Sequence, residues 1–195
     1  MIPMNEFSQP GSPELHEILR SRWSPRAFAR RPVEAEKVQA LFEAVRWSAS
    51  CFNEQPWRLL VATRDEPAEF ARLLGLLMEK NQEWAKDAWI LGITTGKRTF
   101  THNGAPNRFG IHDAGMALTS LMLQATASGL QAHGMGGFDA GRARTEFDVP
   151  EDFEIGAAFA VGYVEGPAVP PAARSRKAVG EVIFSGSWGK AAEVR

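Results

Sequence analysis

The sequence predicts a mixed fold in which helices and strands alternate, and three observations carry that reading. Apolar residues at helical spacing (Val38, Leu41, Phe42, Val45) give way to short apolar runs at 59–62 and 88–94, and helical spacing then returns. The 195 residues, 44% of them hydrophobic, suffice for one sizeable core and not comfortably for two. No internal repeat or low-complexity segment interrupts the alternation.

Taken in order, residues 1–11 form an arm with Pro3, Pro10 and Gly11, and a single domain is expected over 12–195. Ser12 is a candidate N-cap with Pro13 in the first turn; Leu15, Ile18 and Leu19 mark one face of a short helix that Pro25 stops. A helix over 34–48 follows, then a polar loop over 49–56 and a buried strand over 59–62. The pattern continues with a helix at 68–80, a strand at 88–94 and a loop or lid from Thr95 to Phe109. The longest helix spans 111–128, with Gly129 as its C-terminal cap. Strands are expected at 131–138 and 155–164. The tail carries Pro167, Pro170 and Pro171, then Arg174 and Arg176 and an apolar run at 182–184 without a partner in the chain. A tail of this kind is expected to pack on a second subunit.

The 22 Lys+Arg and 23 Asp+Glu give a net charge of -1, which argues against a nucleic-acid protein. One cysteine, Cys51, leaves no intrachain disulfide and suits a reducing compartment. No apolar run approaches the roughly 20 residues of a membrane helix, and the first residues do not read as a signal peptide. A soluble cytoplasmic protein is the expectation. His16, His102, His112 and His133 lack metal-ligand spacing, so no metal is expected. Phosphate-loop, nucleophile-elbow and dinucleotide motifs are absent.

Two segments carry chemistry. In Arg22-Trp23-Ser24-Pro25-Arg26 the residue before proline is biased to extended backbone, where alternate side chains share a face. Arg22, Ser24 and Arg26 then converge, and two guanidinium forks with a hydroxyl suit a phosphate. The alternative is a solvated basic helix end. The second segment, Ser48 to Trp57, packs Ser50, Cys51, Asn53 and Gln55 into a turn. Amide side chains supply both donors and acceptors, as the pyrimidine edge of a flavin requires; a capped loop with Trp57 in the core is the alternative.

With both segments in view, the chain resembles the FMN-dependent nitroreductase family. The resemblance rests on Arg22-x-Ser24-x-Arg26-x-Phe28, on the loop from Trp47 to Trp57, and on Asn81-x-x-Trp84-x-x-Asp87-Ala88. It continues through Asp113-x-Gly115 to Gly129-Leu130, Gly134-Met135-Gly136-Gly137-Phe138, residues 155–163 and Arg174-x-Arg176. Ala49 and Gly134 stand where the family often has proline, and Cys51 where it often has serine; none of these departures removes a charge.

The resemblance implies an α+β fold, a mostly antiparallel sheet flanked by helices, in an intertwined homodimer whose tail reaches the partner. It implies FMN as cofactor. Arg22, Ser24 and Arg26, joined by Arg174 and Arg176, hold the phosphate and ribityl chain, and Trp23 lends its backbone. Asn81 reaches the pyrimidine side, Met135 lies against the ring, and an N–H of Gly136 or Gly137 faces N5. Ser50, Cys51 and Asn53 come from the other subunit. No catalytic acid or base is assigned, because the flavin carries the hydride chemistry. The implied activity passes hydride from NAD(P)H to a small oxidant such as a nitroaromatic or quinone. A flavin carrier or sensor, or a dehalogenase of the same family, is the alternative.

Overall fold

A computed structural model describes residues 15–166 and 175–192. The chain divides into two compact units, residues 15–170 and residues 1–14 with 171–195. The first unit holds the sheet. Its strands β1 (Trp57–Thr63), β2 (Ile90–Lys97), β3 (Gln131–Met135) and β4 (Phe153–Gly162) lie in the order β1-β2-β4-β3, every pair antiparallel. This is the α+β class the resemblance implied. The order makes β1 and β3 the two edges.

The helices are α1 (Glu17–Ser21), α2 (Ala35–Arg46), α3 (Pro67–Leu76), α4 (Glu79–Ala85), α5 (Gly110–Ala127) and α6 (Ala140–Glu146). Helix α5 lies on one face of the sheet. Its Ala114, Ala117, Leu121 and Ala125 are fully buried, in a cluster with Leu41 of α2 and Phe159 of β4. Alanines at this spacing let the helix approach the strands closely, while each buried leucine contributes about 1.5–3 kcal/mol. Gly129 closes α5 at φ 75°, a conformation that costs glycine nothing, and the Leu130 N–H returns to the Ala125 carbonyl at 2.8 Å. The chain then turns straight into β3. On the opposite face, Phe70, Leu73 and Leu76 of α3 pack with Leu91, Ile93, Met135, Ala158 and Ala160.

Several elements differ from the sequence expectation. The helix expected over 68–80 is two helices, α3 and α4, broken at Leu77-Met78. The break has a long-range cause. Leu77 bridges Phe138, the Met78 N–H donates to the Gly137 carbonyl at 2.9 Å, and the Asp139 N–H donates to the Leu76 carbonyl at 2.9 Å. Strands β1 and β2 extend further than their apolar cores, because their polar ends are paired: Trp57 with Gly96 and Arg58 with Thr95. Strand β3 stops at Met135 instead of 138, since residues 137–138 pair with the 77–78 strip. Helix α6 was not anticipated; the Asp139 side chain caps it by accepting from the Arg142 N–H at 2.9 Å. The N-cap of α1 is His16, which accepts from the Ile18 N–H; Ser12 and Pro13 fall outside the described residues. The run at 182–184 is no strand, and Phe184 bridges Ala191 within its own unit. Among the described residues, no helix is long and apolar enough to cross a membrane.

Candidate functional site

The segment leaves α1 with Arg22 in extended backbone, carries no helix or turn through Pro25, and bends at Arg26. Two hydrogen bonds lay it along the β3 edge in the same direction as the strand. The Trp23 N–H donates to Gln131 Oε1 at 3.1 Å, and the Pro25 carbonyl bonds His133 Nδ1 at 2.7 Å. Each partner is two residues beyond the last, and Arg22, Ser24 and Arg26 are the alternate positions of the segment. Pro25 is buried, while Ser24 and Arg26 are exposed and Arg22 is half-buried. Arg22 Nη1 donates to Ser24 Oγ at 3.4 Å, and both Arg22 and Arg26 act electrostatically on the His133 ring. The Trp23 main-chain N–H is engaged by Gln131, and its indole N–H is buried without a partner among the described residues.

Helix α4 extends the cluster along β3. Trp84 stacks on His133 with ring centroids 4.6 Å apart. Asn81, three residues earlier and hence on the same helix face, donates from Nδ2 to the Gly137 carbonyl at 3.0 Å. The backbone passes close to Asn81 here: a Cβ at Gly137 would lie 2.8 Å from Asn81 Nδ2 and displace that side chain from its bond. Neither the Gly136 nor the Gly137 N–H is taken by a backbone acceptor among the described residues. Gly136 is exposed and open space surrounds its Cα. Met135 is buried in the apolar cluster beneath, at 3% exposure.

The structure thus brings Arg22, Trp23, Ser24, Arg26, Asn81, Met135, Gly136 and Gly137 to one edge. It does not bring Ser50, Cys51 and Asn53 there. Those residues precede β1, on the opposite edge, three inter-strand spacings or about 14 Å away. The Cys51 N–H donates to Asp113 Oδ2 of α5 at 3.0 Å, and Ser50 Oγ accepts from the Gln55 N–H at 3.0 Å. Phe52, Asn53 and Gln55 all hold positive φ, between 51° and 54°. This backbone is costly for such side chains, and it leaves Phe52 83% exposed. Arg174 lies outside the described residues. Arg176 belongs to the other unit, where it is exposed and donates to the Ser175 carbonyl.

Sequence reasoning missed three participants. His133 and Trp84 form the centre of the β3-edge cluster. Burial holds the His133 imidazole below its usual pKa, and Arg26 and Arg22 depress it further against the opposing pull of the Pro25 carbonyl. Glu54 anchors the loop that follows β2. Its carboxylate, 6% exposed, accepts from the Thr101 N–H at 2.8 Å and from the Thr101 hydroxyl, which holds it below the usual glutamate range. The one signal for His133 was its two-residue offset from Gln131 on β3; for Glu54 the sequence carried none.

Fold and strip together define an α+β protein with a basic, half-open site on one sheet edge. The sequence model of the Nitroreductase family matches residues 19–89 and 76–163. An uncharacterized 15.4 kDa protein of Mycolicibacterium smegmatis is 36% identical over 128 residues, covering 62% of this chain and 84% of that one. A nitrobenzene nitroreductase of Ectopseudomonas oleovorans is 37% identical over a shorter stretch of 54 residues, 28% of this chain and 24% of that protein. A solved structure described as an oxidoreductase containing FMN superposes with a TM-score of 0.84 at 33% identity, over 92% of this chain and 95% of its own. The chain belongs to the nitroreductase family.

Proposed function

We propose that the protein is an FMN-dependent oxidoreductase that passes hydride from NAD(P)H to a small oxidant such as a nitroaromatic or quinone, working in the cytoplasm as a homodimer. The observation that carries this reading is the continuity of the β3-edge cluster. A basic group (Arg22, Ser24, Arg26) leads along one strand to the N–H groups of Gly136 and Gly137, which meet no backbone acceptor among the described residues. The buried, unpartnered indole N–H of Trp23 and the space around Gly136 fit a bound polar group here.

When bound, FMN supplies the hydride acceptor and donor at its N5. The chain's own residues bind and orient. Arg22 and Arg26 hold the phosphate by charge-assisted hydrogen bonds, with Ser24 beside them. The Gly136 or Gly137 N–H donates toward the reacting edge of the ring, a fixed dipole where charge develops. Asn81, locked on the Gly137 carbonyl, keeps that backbone aimed and meets the pyrimidine side. Met135 supports the ring from beneath. Arg174 and Arg176 join the phosphate on the strength of the resemblance alone.

The resemblance assigns Ser50, Cys51 and Asn53 to the site of a second copy, and their place before β1, the edge strand opposite β3, supports that assignment. Trp47, 79% exposed, and Phe52 flank that loop. Exposed aromatic side chains of this size favour burial against a partner.

The test is a spectrum of the purified protein. It should be yellow or take up FMN stoichiometrically, and heat should release FMN, not FAD. Anaerobic NADH or NADPH should bleach the flavin, and a quinone or nitroarene should restore it. A colourless protein that ignores added FMN refutes the reading; bound FMN that no nicotinamide reduces moves it to a carrier or sensor.

A further inference from the structure

His133 sits inside the basic strip. Its Nδ1 is tied to the carbonyl of Pro25, the residue between Ser24 and Arg26, at 2.7 Å. A carbonyl only accepts, so Nδ1 keeps its proton in both ring forms, and any further proton goes to Nε2. Nε2 has no hydrogen-bond partner among the described residues, and the ring is half-exposed. Trp84 on α4 stacks against one ring face and fixes its plane. Arg22 and Arg26 are the charged groups acting on the ring; α4 presents Trp84, and β4 presents Ala160 as the paired neighbour, neither titratable.

We propose that His133 is a further ligand of the anion site, its Nε2 donating as imidazolium to the phosphate that Arg22 and Arg26 hold. The proposal rests on the FMN reading above. In the empty site two guanidinium groups and partial burial disfavour a third positive charge. A phosphate dianion reverses that balance, so phosphate and a proton on His133 bind cooperatively. By linkage, the contribution is present below the pKa of His133 in the complex and is lost as pH rises through it. His133 then makes flavin retention pH-dependent near neutrality, which the permanently charged arginines cannot do.

The experiment compares FMN and riboflavin affinity of the full-length wild type and His133→Gln between pH 6 and 8. The phosphate's own titration near pH 6 is common to both proteins and cancels in their ratio. The wild-type advantage for FMN should grow as pH falls, reaching roughly tenfold at the acid end, and should stay flat for riboflavin. A ratio that is flat with pH for FMN, or that moves equally for riboflavin, overturns the proposal. A second measurement does not depend on the variant's folding. The imidazole titration of His133, followed by NMR in the wild type, should shift upward with FMN and with inorganic phosphate, and not with riboflavin. An unmoved titration with phosphate and FMN refutes the role. Failure of FMN to bind at all is the separate failure of the FMN reading, and the inorganic phosphate arm still decides on His133.

Discussion

The two edges of the sheet carry site residues of opposite character. On the β3 edge, the strip 22–26 is fixed to its neighbour strand by Gln131 and His133 and carries two arginines, Arg26 exposed and Arg22 half-buried. On the β1 edge, the loop 50–55 is uncharged apart from Glu54, and three of its residues hold positive φ. The first edge offers charge on a regular scaffold. The second offers short polar groups and an exposed phenyl ring on a strained one. The two edge strands lie three inter-strand spacings apart, about 14 Å. On the function proposed above, the contrast assigns phosphate recognition to one edge and ring-edge recognition to the other.

The sharpest way to break this division is by ligand. Arg26→Ala and Arg22→Ala each remove a charge-assisted contact that riboflavin never makes. Each should cost about 1.5–3 kcal/mol, roughly ten- to a hundredfold in FMN affinity, with little change for riboflavin. Equal losses for both ligands would make these arginines structural. On the other edge, Asn53→Ala removes a neutral contact to the ring, which both ligands share. FMN and riboflavin should weaken together, by about two- to tenfold. A loss confined to FMN would place Asn53 at the phosphate and erase the contrast. Equilibrium titration by flavin fluorescence reads both cases.

A smaller effect separates the edges by pH. The Thr101 hydroxyl lowers the Glu54 pKa, so the anchor of the 98–109 loop is at full strength above the usual glutamate pKa and is lost as pH falls through the lowered value. The Thr101 amide resonance should therefore move with a midpoint below the usual glutamate range, and Glu54→Ala should abolish that transition. A midpoint at or above the usual value would contradict the anchor.

What was legible in the sequence was local. The end of α1 ahead of Pro25 follows from that proline, and the α5–Gly129–β3 connection follows from helical spacing and a capping glycine. What escaped depends on contacts distant in sequence. Leu77-Met78 contains neither glycine nor proline, and the helix breaks there because residues 137–139 pair with it. That break in turn holds the Gly136-Gly137 turn in place. His133 reads as one of four scattered histidines until β3 is laid beside Pro25, and Glu54 reads as loop charge until Thr101 folds back onto it. The separation of Asn53 from Arg26 is likewise invisible along the chain, because it is set by strand order.

The division of one site between two chains is tested most directly by a mixed dimer. An Arg26→Ala chain and an Asn53→Ala chain, carrying different tags, are co-expressed, and the heterodimer is isolated through both tags. If each flavin takes its phosphate half from one subunit and its ring-edge half from the other, one of the two sites is wild type and the other carries both lesions. FMN should then fill one site per heterodimer with wild-type affinity. If each site is built within a single chain, every site carries one lesion, and no wild-type site appears in the titration; that result would contradict the shared site.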